Sequence, residues 1–198
     1  MTYANIKISL LAASLLSAWG TAAMAQNAAD TVQRNVNQEK RIEQGLKSGQ
    51  LSTQEAGKLE REQAQVDKLE SNALKDGKMS NAEKRRIERA ENKTSADIHR
   101  EKTDAQTANP NSVSSKRMQA DVERNVHQQE RVEQGIQSGA LTNREAGKLE
   151  HGQAHVDNKE AGAAANGHIG ADEQRSVQAS ENNQSKRIHK KKTNGAER

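Results

Sequence analysis

Apolar residues recur along this chain at helical spacing, and no stretch alternates as a strand would. Val32, Val36, Ile42 and Leu46 form a ragged stripe that stops before Gly49. Leu59, Val66, Leu69 and Ala73 share one face of a second segment that runs to about Lys75, and Ile87, Glu91, Thr94 and Ile98 mark a third. The segments are separated by a seven-residue signal, Gly49-Gln50-Leu51-Ser52-Thr53-Gln54-Glu55. It returns as Gly77 to Glu83, as Gly139 to Glu145 and, blurred, as Gly167 to Glu173. Its glycine suits the left-handed conformation that ends a helix, and its Leu, Met or Ile suits a hydrophobic staple. Its Ser or Thr is an N-cap, and the Glu three residues on completes a capping box. Each copy of the signal therefore ends one helix and starts the next, and turns this short imply antiparallel neighbours.

The pattern occurs twice. Residues 31–104 and 121–194 align without a gap at an offset of 90, and between 34–70 and 124–160 roughly 22 of 37 positions are identical. The stretch between the copies, 105–120, holds the only proline, Pro110, among Asn, Ser and Thr and reads as a linker. The expectation is an all-α protein of two tandem antiparallel three-helix units, 31–104 and 121–194, joined by that linker. Residues 26–30 are expected as a flexible N-terminus and 195–198 as a tail. The core of each unit is thin. The first holds only Val32, Val36, Ile42, Leu46, Leu51, Leu59, Val66, Leu69, Leu74, Met79, Ile87 and Ile98 as large aliphatics. In the second, Ala161 to Ala165 replaces the end of the middle helix, with Val177 and Ile188 nearly alone in the last. Marginal stability, or stability through a partner, is the expectation.

Composition adds an address. Lys7, a mostly apolar run from Ile8 to Ala23, and Ala23-Met24-Ala25 before Gln26 have the anatomy of a cleaved signal peptide, 1–25. This predicts a periplasmic or secreted protein with no transmembrane segment in the mature chain. The chain has no Cys, so an oxidising compartment offers no disulfide. Its only aromatics, Tyr3 and Trp19, fall in the signal. Aromatic cages and base-stacking platforms are therefore excluded from the mature protein.

Few residues suggest chemistry. Cys nucleophiles, Gly-x-Ser-x-Gly, His-Glu-x-x-His and phosphate-binding Gly loops are all missing, which argues against an enzyme and against a cofactor. Carboxylates alternate with Lys and Arg, as in Glu43 with Lys47, and read as solvated ion-pair faces. The turns have the Gly-to-Glu spacing of an EF-hand loop. Gln44, Leu46 and Ser48, and then Asn72, Leu74 and Asp76, occupy the earlier ligand positions, so any such loop is degenerate. His151 and His155 lie four apart, a spacing that lets two imidazoles chelate a transition metal, with His127 at a similar level on the preceding helix. Both point away from the apolar stripe, and the first copy has Arg61 and Gln65 in their places.

The clearest charge patch is the end of the chain. Asp121 to Glu181 holds 6 basic and 11 acidic residues, whereas Asn182 to Arg198 holds 6 basic and 1 acidic. Lys186, Arg187, Lys190, Lys191 and Lys192 are the expected contacts for an anionic envelope surface, and nucleic acid is disfavoured for want of stacking groups. An export signal followed by Gly-x-Leu-Ser/Thr-x-x-Glu turns resembles a group of poorly characterised secreted helical proteins of Gram-negative bacteria. Leu51 to Glu55 and Leu141 to Glu145 are also loosely similar to the Leu-Thr-x-x-Gln motif of Spy-type periplasmic chaperones, with Glu at the Gln position. The resemblance implies a non-enzymatic, stress-associated binding protein with a protein partner or an anionic surface. The alternative from another class is a metal-binding protein using the copy-two histidines or the degenerate loops.

Overall fold

The computed structural model describes residues 17–194, with side chains from Asn27 onward. It contains six α-helices, and no strand occurs among the described residues. They are α1 (Ser17–Ser48), α2 (Thr53–Ala73), α3 (Asn81–Thr103), α4 (Val113–Gln137), α5 (Asn143–Ala163) and α6 (Ala171–Asn194). No described helix is long and apolar enough to cross a membrane. The start of the expected signal peptide, 1–16, and the expected tail, 195–198, lie outside the described residues. The expected cleavage point after Ala25 falls within α1.

The turns form as their chemistry dictates. Gly49, Gly77, Gly139 and Gly167 have φ of 76°, 87°, 74° and 79°, a region where a Cβ is strained. Ser52, Ser80 and Thr142 each cap the following helix, in a complete box with Glu55, Glu83 and Glu145. The fourth turn keeps half of this device. Glu173 accepts from the Gly170 N–H at 2.7 Å, but Gly170 has no hydroxyl to return.

The two copies wrap around one another. α2 packs chiefly on α5 and α1 on α4, while α3 lies against α1 and α2, and α6 against α4 and α5. Each apolar core is consequently drawn from both copies. One joins Ala28, Val32, Leu74 and Ile87 to Val132, Ile136, Leu149 and Ile188. The other joins Ile42, Leu46, Leu59 and Ile98 to Met118, Val122, Ala164 and Val177. These sets exchange under the 90-residue offset, so the molecule has a pseudo-twofold axis that passes between α1 and α4 and between α2 and α5. Lys40 and Glu130, which are offset equivalents, pair across it at 2.7 Å.

This packing corrects two expectations and shows how the alanine-rich segment is used. Residues 26–30 are helical, and Ala28 and Ala29 are buried where α1 meets the end of α4. The expected linker 105–120 shortens because Ser112 caps α4, accepting from the Ser115 N–H at 3.1 Å, and Met118 is fully buried. The alanine-rich end of α5 is regular helix to Ala163, level with Ala73 of α2. Its small side chains suit close approach, since a Cβ on Gly57 would lie 2.6 Å from the Ala164 Cβ.

Candidate metal centre

Between the two apolar cores lies a polar layer. α1 supplies Asn35 and Glu39, α2 supplies Glu60, Gln63, Asp67 and Glu70, α4 supplies Asn125 and Gln129, and α5 supplies Glu150, Gln153, Asp157 and Glu160. All are at most 2 % exposed. Steps of three, four and seven residues hold one helical face, which is why 60, 63, 67 and 70 point the same way. The facing helix of the other copy removes that face from water.

The layer contains two groups of three carboxylates whose nearest oxygens all lie within 4.8 Å of one another: Glu39, Glu60 and Asp157, and Asp67, Glu70 and Glu150. The pseudo-axis carries Glu60 onto Glu150 and Asp157 onto Asp67, whereas Glu70 falls on Glu160, outside the first group. Glu39 of the first occupies the place that Gln129 takes in the second.

That difference decides how their oxygens are partnered. In the second group the Asn35 amide donates to Asp67 and to Glu70 at 3.0 Å, and the Gln129 amide donates to Glu150 at 3.0 Å. In the first, Asp157 Oδ1 accepts from Gln153 at 3.1 Å and weakly from Asn125 at 3.4 Å. Both oxygens of Glu60, Oε2 of Glu39 and Oδ2 of Asp157 have no hydrogen-bond donor among the described residues. Gln63, 1 % exposed, sets its amide beside Glu39 and favours the ionised form of that carboxyl, although the contact falls short of full hydrogen-bond geometry. Glu39 and Glu60 meet carboxyl to carboxyl, a contact that bonds only when one of them carries a proton.

Burial dominates the acidity of the whole layer. It holds Glu39, Glu60, Asp67, Glu70 and Glu160 well above the ordinary carboxylate range, and their mutual repulsion adds to the effect. Glu150 is raised to about 8 and Asp157 to about 7, again first by burial. At the flanks, Glu91 and Glu181 are wholly buried beneath α3 and α6 and are raised to about 7 and about 8. Half-exposed arginines offset part of that cost: Arg34 lies 3.1 Å from Glu91 and Arg124 lies 3.4 Å from Glu181. Of the inner groups Glu70 also feels Arg34, whereas Glu39, Glu60 and Asp157 face no such cation among the described residues. A buried, unpaired carboxylate is costly, so the first group must hold protons or a cation.

The residues singled out from the sequence lie elsewhere. His151 and His155 are exposed on the outer face of α5 and join no cluster of ligating groups among the described residues. His127 is exposed and lies 3.3 Å from Glu130. The degenerate loops fold as capped turns, with Leu46, Leu74, Ile136 and Ala164 buried at their third positions. Their final glutamates accept from the N-cap N–H groups instead. Lys186, Arg187 and Lys190 are exposed, and Lys191 is half-buried. Lys192 donates to the Arg131 carbonyl at 3.0 Å, as Lys102 does to Arg41 at 3.1 Å, so it serves the shared fold. The inner carboxylates escaped the sequence reading, although Glu60, Asp67 and Glu70 return unchanged as Glu150, Asp157 and Glu160. No family model, curated protein or solved structure matches the chain.

Proposed function

We propose that this chain is a non-catalytic binding protein of the Gram-negative periplasm that takes up a hard divalent cation between Glu39, Glu60 and Asp157. The observation that carries the reading is Glu60, fully buried with no partner for its oxygens but the acidic carboxyl of Glu39, in a triad whose oxygens lie within 4.8 Å of one another. Oxygens about 2.1–2.6 Å from a shared cation would have that separation. The donor set is carboxylate, with the Gln63 amide oxygen at hand. With neither imidazole nor thiolate present, it suits calcium, manganese or magnesium better than zinc or copper. A cation replaces the protons that burial otherwise retains, so uptake releases protons and tightens as pH rises.

The test is calorimetry on the chelator-stripped mature protein at pH 7.5, in two buffers of different ionisation enthalpy, with Ca²⁺, Mn²⁺, Mg²⁺, Zn²⁺, Ni²⁺ and Cu²⁺. The expected result is one hard cation per chain with proton release, lost in Glu39→Gln/Glu60→Gln and kept in His151→Ala/His155→Ala. Uptake of zinc, nickel or copper alone, abolished by the histidine variant, would move the site to α5. No binding of any hard cation by the folded protein would overturn the reading. Mass spectrometry of the exported protein checks the location, with a mature N-terminus expected at Gln26.

A further inference from the structure

The same pseudo-symmetry exposes a second site, independent of the acid centre. Where the end of α2, the first half of α5 and the last turns of α6 meet, two adjoining cavities of about 730 and 500 Å³ share Arg144 and Lys148 in their walls. Lys75, Lys78, Arg187 and Lys191 also line them. Two carboxylates lie in the walls, and both are engaged locally. Asp76 accepts from the Lys78 N–H at 2.9 Å, and Glu145 belongs to the Thr142 capping box. Arg144 and Arg187 are held across the cleft by main-chain carbonyls, at 3.3 Å to Asp76 and 3.1 Å to Lys148, contacts that position a guanidinium without neutralising it.

The counterpart cleft across the pseudo-axis serves as an internal control. It is a cavity of about 150 Å³ lined by Gln54, Lys58 and Arg61. The positions of Lys75, Lys78 and Arg144 are there Ala165, His168 and Gln54, and those of Arg187 and Lys191 are Asp97 and Glu101. Asp97 pairs with Lys93 at 2.7 Å and with Arg100, and Lys93 reaches Glu62 at 2.9 Å, so that side compensates its own charge. In the second copy Glu62 becomes Gly152 and Lys93 becomes Asn183. A Cβ at Gly152 would lie 2.1 Å from Gln184 Oε1 and 2.8 Å from Arg187 Nη1, so the glycine makes room for both side chains to lie across α5. One fold thus carries a self-neutralised surface on one side and a concave cationic one on the other.

We infer that the cleft of Arg144, Lys148, Arg187 and Lys191 binds a ligand bearing more than one phosphate group. Guanidinium forks match phosphate oxygens in pairs, and the flanking lysines add point charges. Six cations spread over two joined cavities exceed what a single carboxylate needs. A nucleobase would find no aromatic surface, because the only aromatics of the chain, Tyr3 and Trp19, fall within the expected signal peptide. The phosphates can belong to a free polyphosphate or to a lipid headgroup, and the chemistry of recognition is shared.

Calorimetry of the mature protein with tripolyphosphate, and co-sedimentation with vesicles containing cardiolipin, whose headgroup carries two phosphates, test this and separate the two sources. Saturable binding in either arm, weakened by salt, is expected. Arg187→Asp/Lys191→Glu, which installs the residues of the other copy, should weaken it about tenfold or more. Lys186→Gln/Lys190→Gln, on the exposed face of α6, should leave it unchanged. Should the first variant melt early, Arg144→Gln/Lys148→Gln removes two solvent-facing charges and carries the same expectation. Binding in neither arm would overturn the site. So would a loss produced by the Lys186/Lys190 variant and not by the cleft variants, which would return the anion to the helix end.

Discussion

The two halves of the acid layer are nearly the same object seen from opposite ends of a pseudo-axis, yet they solve the burial of carboxylates differently. Around Asp67, Glu70 and Glu150, the amides of Asn35 and Gln129 supply donors, and the group is largely internally satisfied. Around Glu39, Glu60 and Asp157, the position of Gln129 is itself a glutamate, so a donor has been exchanged for another acceptor. One amide-to-acid difference converts a hydrogen-bonded network into a set of oxygens that needs a positive species from outside. Gene duplication makes such asymmetry accessible, because each half of the axis can vary alone.

The largest expected effect is on stability against pH, and it breaks the comparison if absent. Unfolded carboxyls titrate near pH 4, with Asp at about 3.9 and Glu at about 4.3. In the folded chain Asp157 is raised to about 7 and Glu150 to about 8, and Glu39 and Glu60 are also well above their ordinary range. Between those limits the folded state binds more protons than the unfolded state, so stability is fully present below about pH 4 from these groups and is lost as pH rises through 7 to 8. A tenfold difference in one carboxyl's proton affinity between the two states corresponds to about 1.4 kcal/mol, and each kcal/mol to about 2–4 °C in a chain of this size. Metal-free protein should melt well below its pH 5.5 midpoint at pH 8, and the missing stability should return on adding the hard cation. A flat profile for the metal-free protein would mean that the layer is neither dry nor strained by charge.

A smaller effect sharpens the comparison. Gln129→Glu should make the second group resemble the first, raising cation stoichiometry from one to two per chain. Loss of the donor to Glu150 should cost about 1–3 kcal/mol in metal-free protein at pH 8. An unchanged stoichiometry in the folded variant would show that Glu39 is not what distinguishes the two groups. Glu39→Gln is the reverse experiment and should relieve metal-free protein at the same pH.

Most of the local structure was legible in the chain, and the reasons are local. Helix ends follow the turn signals to within a residue or two, because Gly49, Ser52 and Glu55 act on their immediate neighbours. Of the twelve aliphatics read as core in the first copy, all but the partly buried Leu69 are buried. The acid layer was not legible for the opposite reason. Whether Glu60 faces solvent depends on α5, ninety residues away, and next to Lys58 and Arg61 it reads like the Glu43–Lys47 pair, which does lie at the surface. Glu91 and Thr94 did stand within an apolar stripe and are buried as that stripe requires. A usable signal was therefore present. Acids at helical spacing within or beside an apolar stripe, repeated at the same offset in both copies, mark a buried layer.

The smallest effect concerns the turns, where three complete boxes and one half-box allow a repair. Ser52→Ala removes an N-cap hydroxyl and should cost about 0.5–2 kcal/mol. Gly170→Ser supplies the hydroxyl that the fourth turn lacks. Glu173 already accepts from the residue-170 N–H at 2.7 Å, so half of the box is in place. The backbone there is not in the left-handed region, and an added Cβ would meet only Glu173 Oε2, at 3.3 Å, the end of a flexible side chain. Glycine is itself a tolerable N-cap, so the gain should be only a few tenths of a kcal/mol, with a little more from lower entropy in the unfolded chain. Urea unfolding at pH 5.5, where the acid layer is protonated and quiet, is the measurement with enough precision. A loss of stability on Gly170→Ser would mean that the α6 entry tolerates glycine alone, and that the fourth turn has diverged from the other three in geometry as well as in sequence.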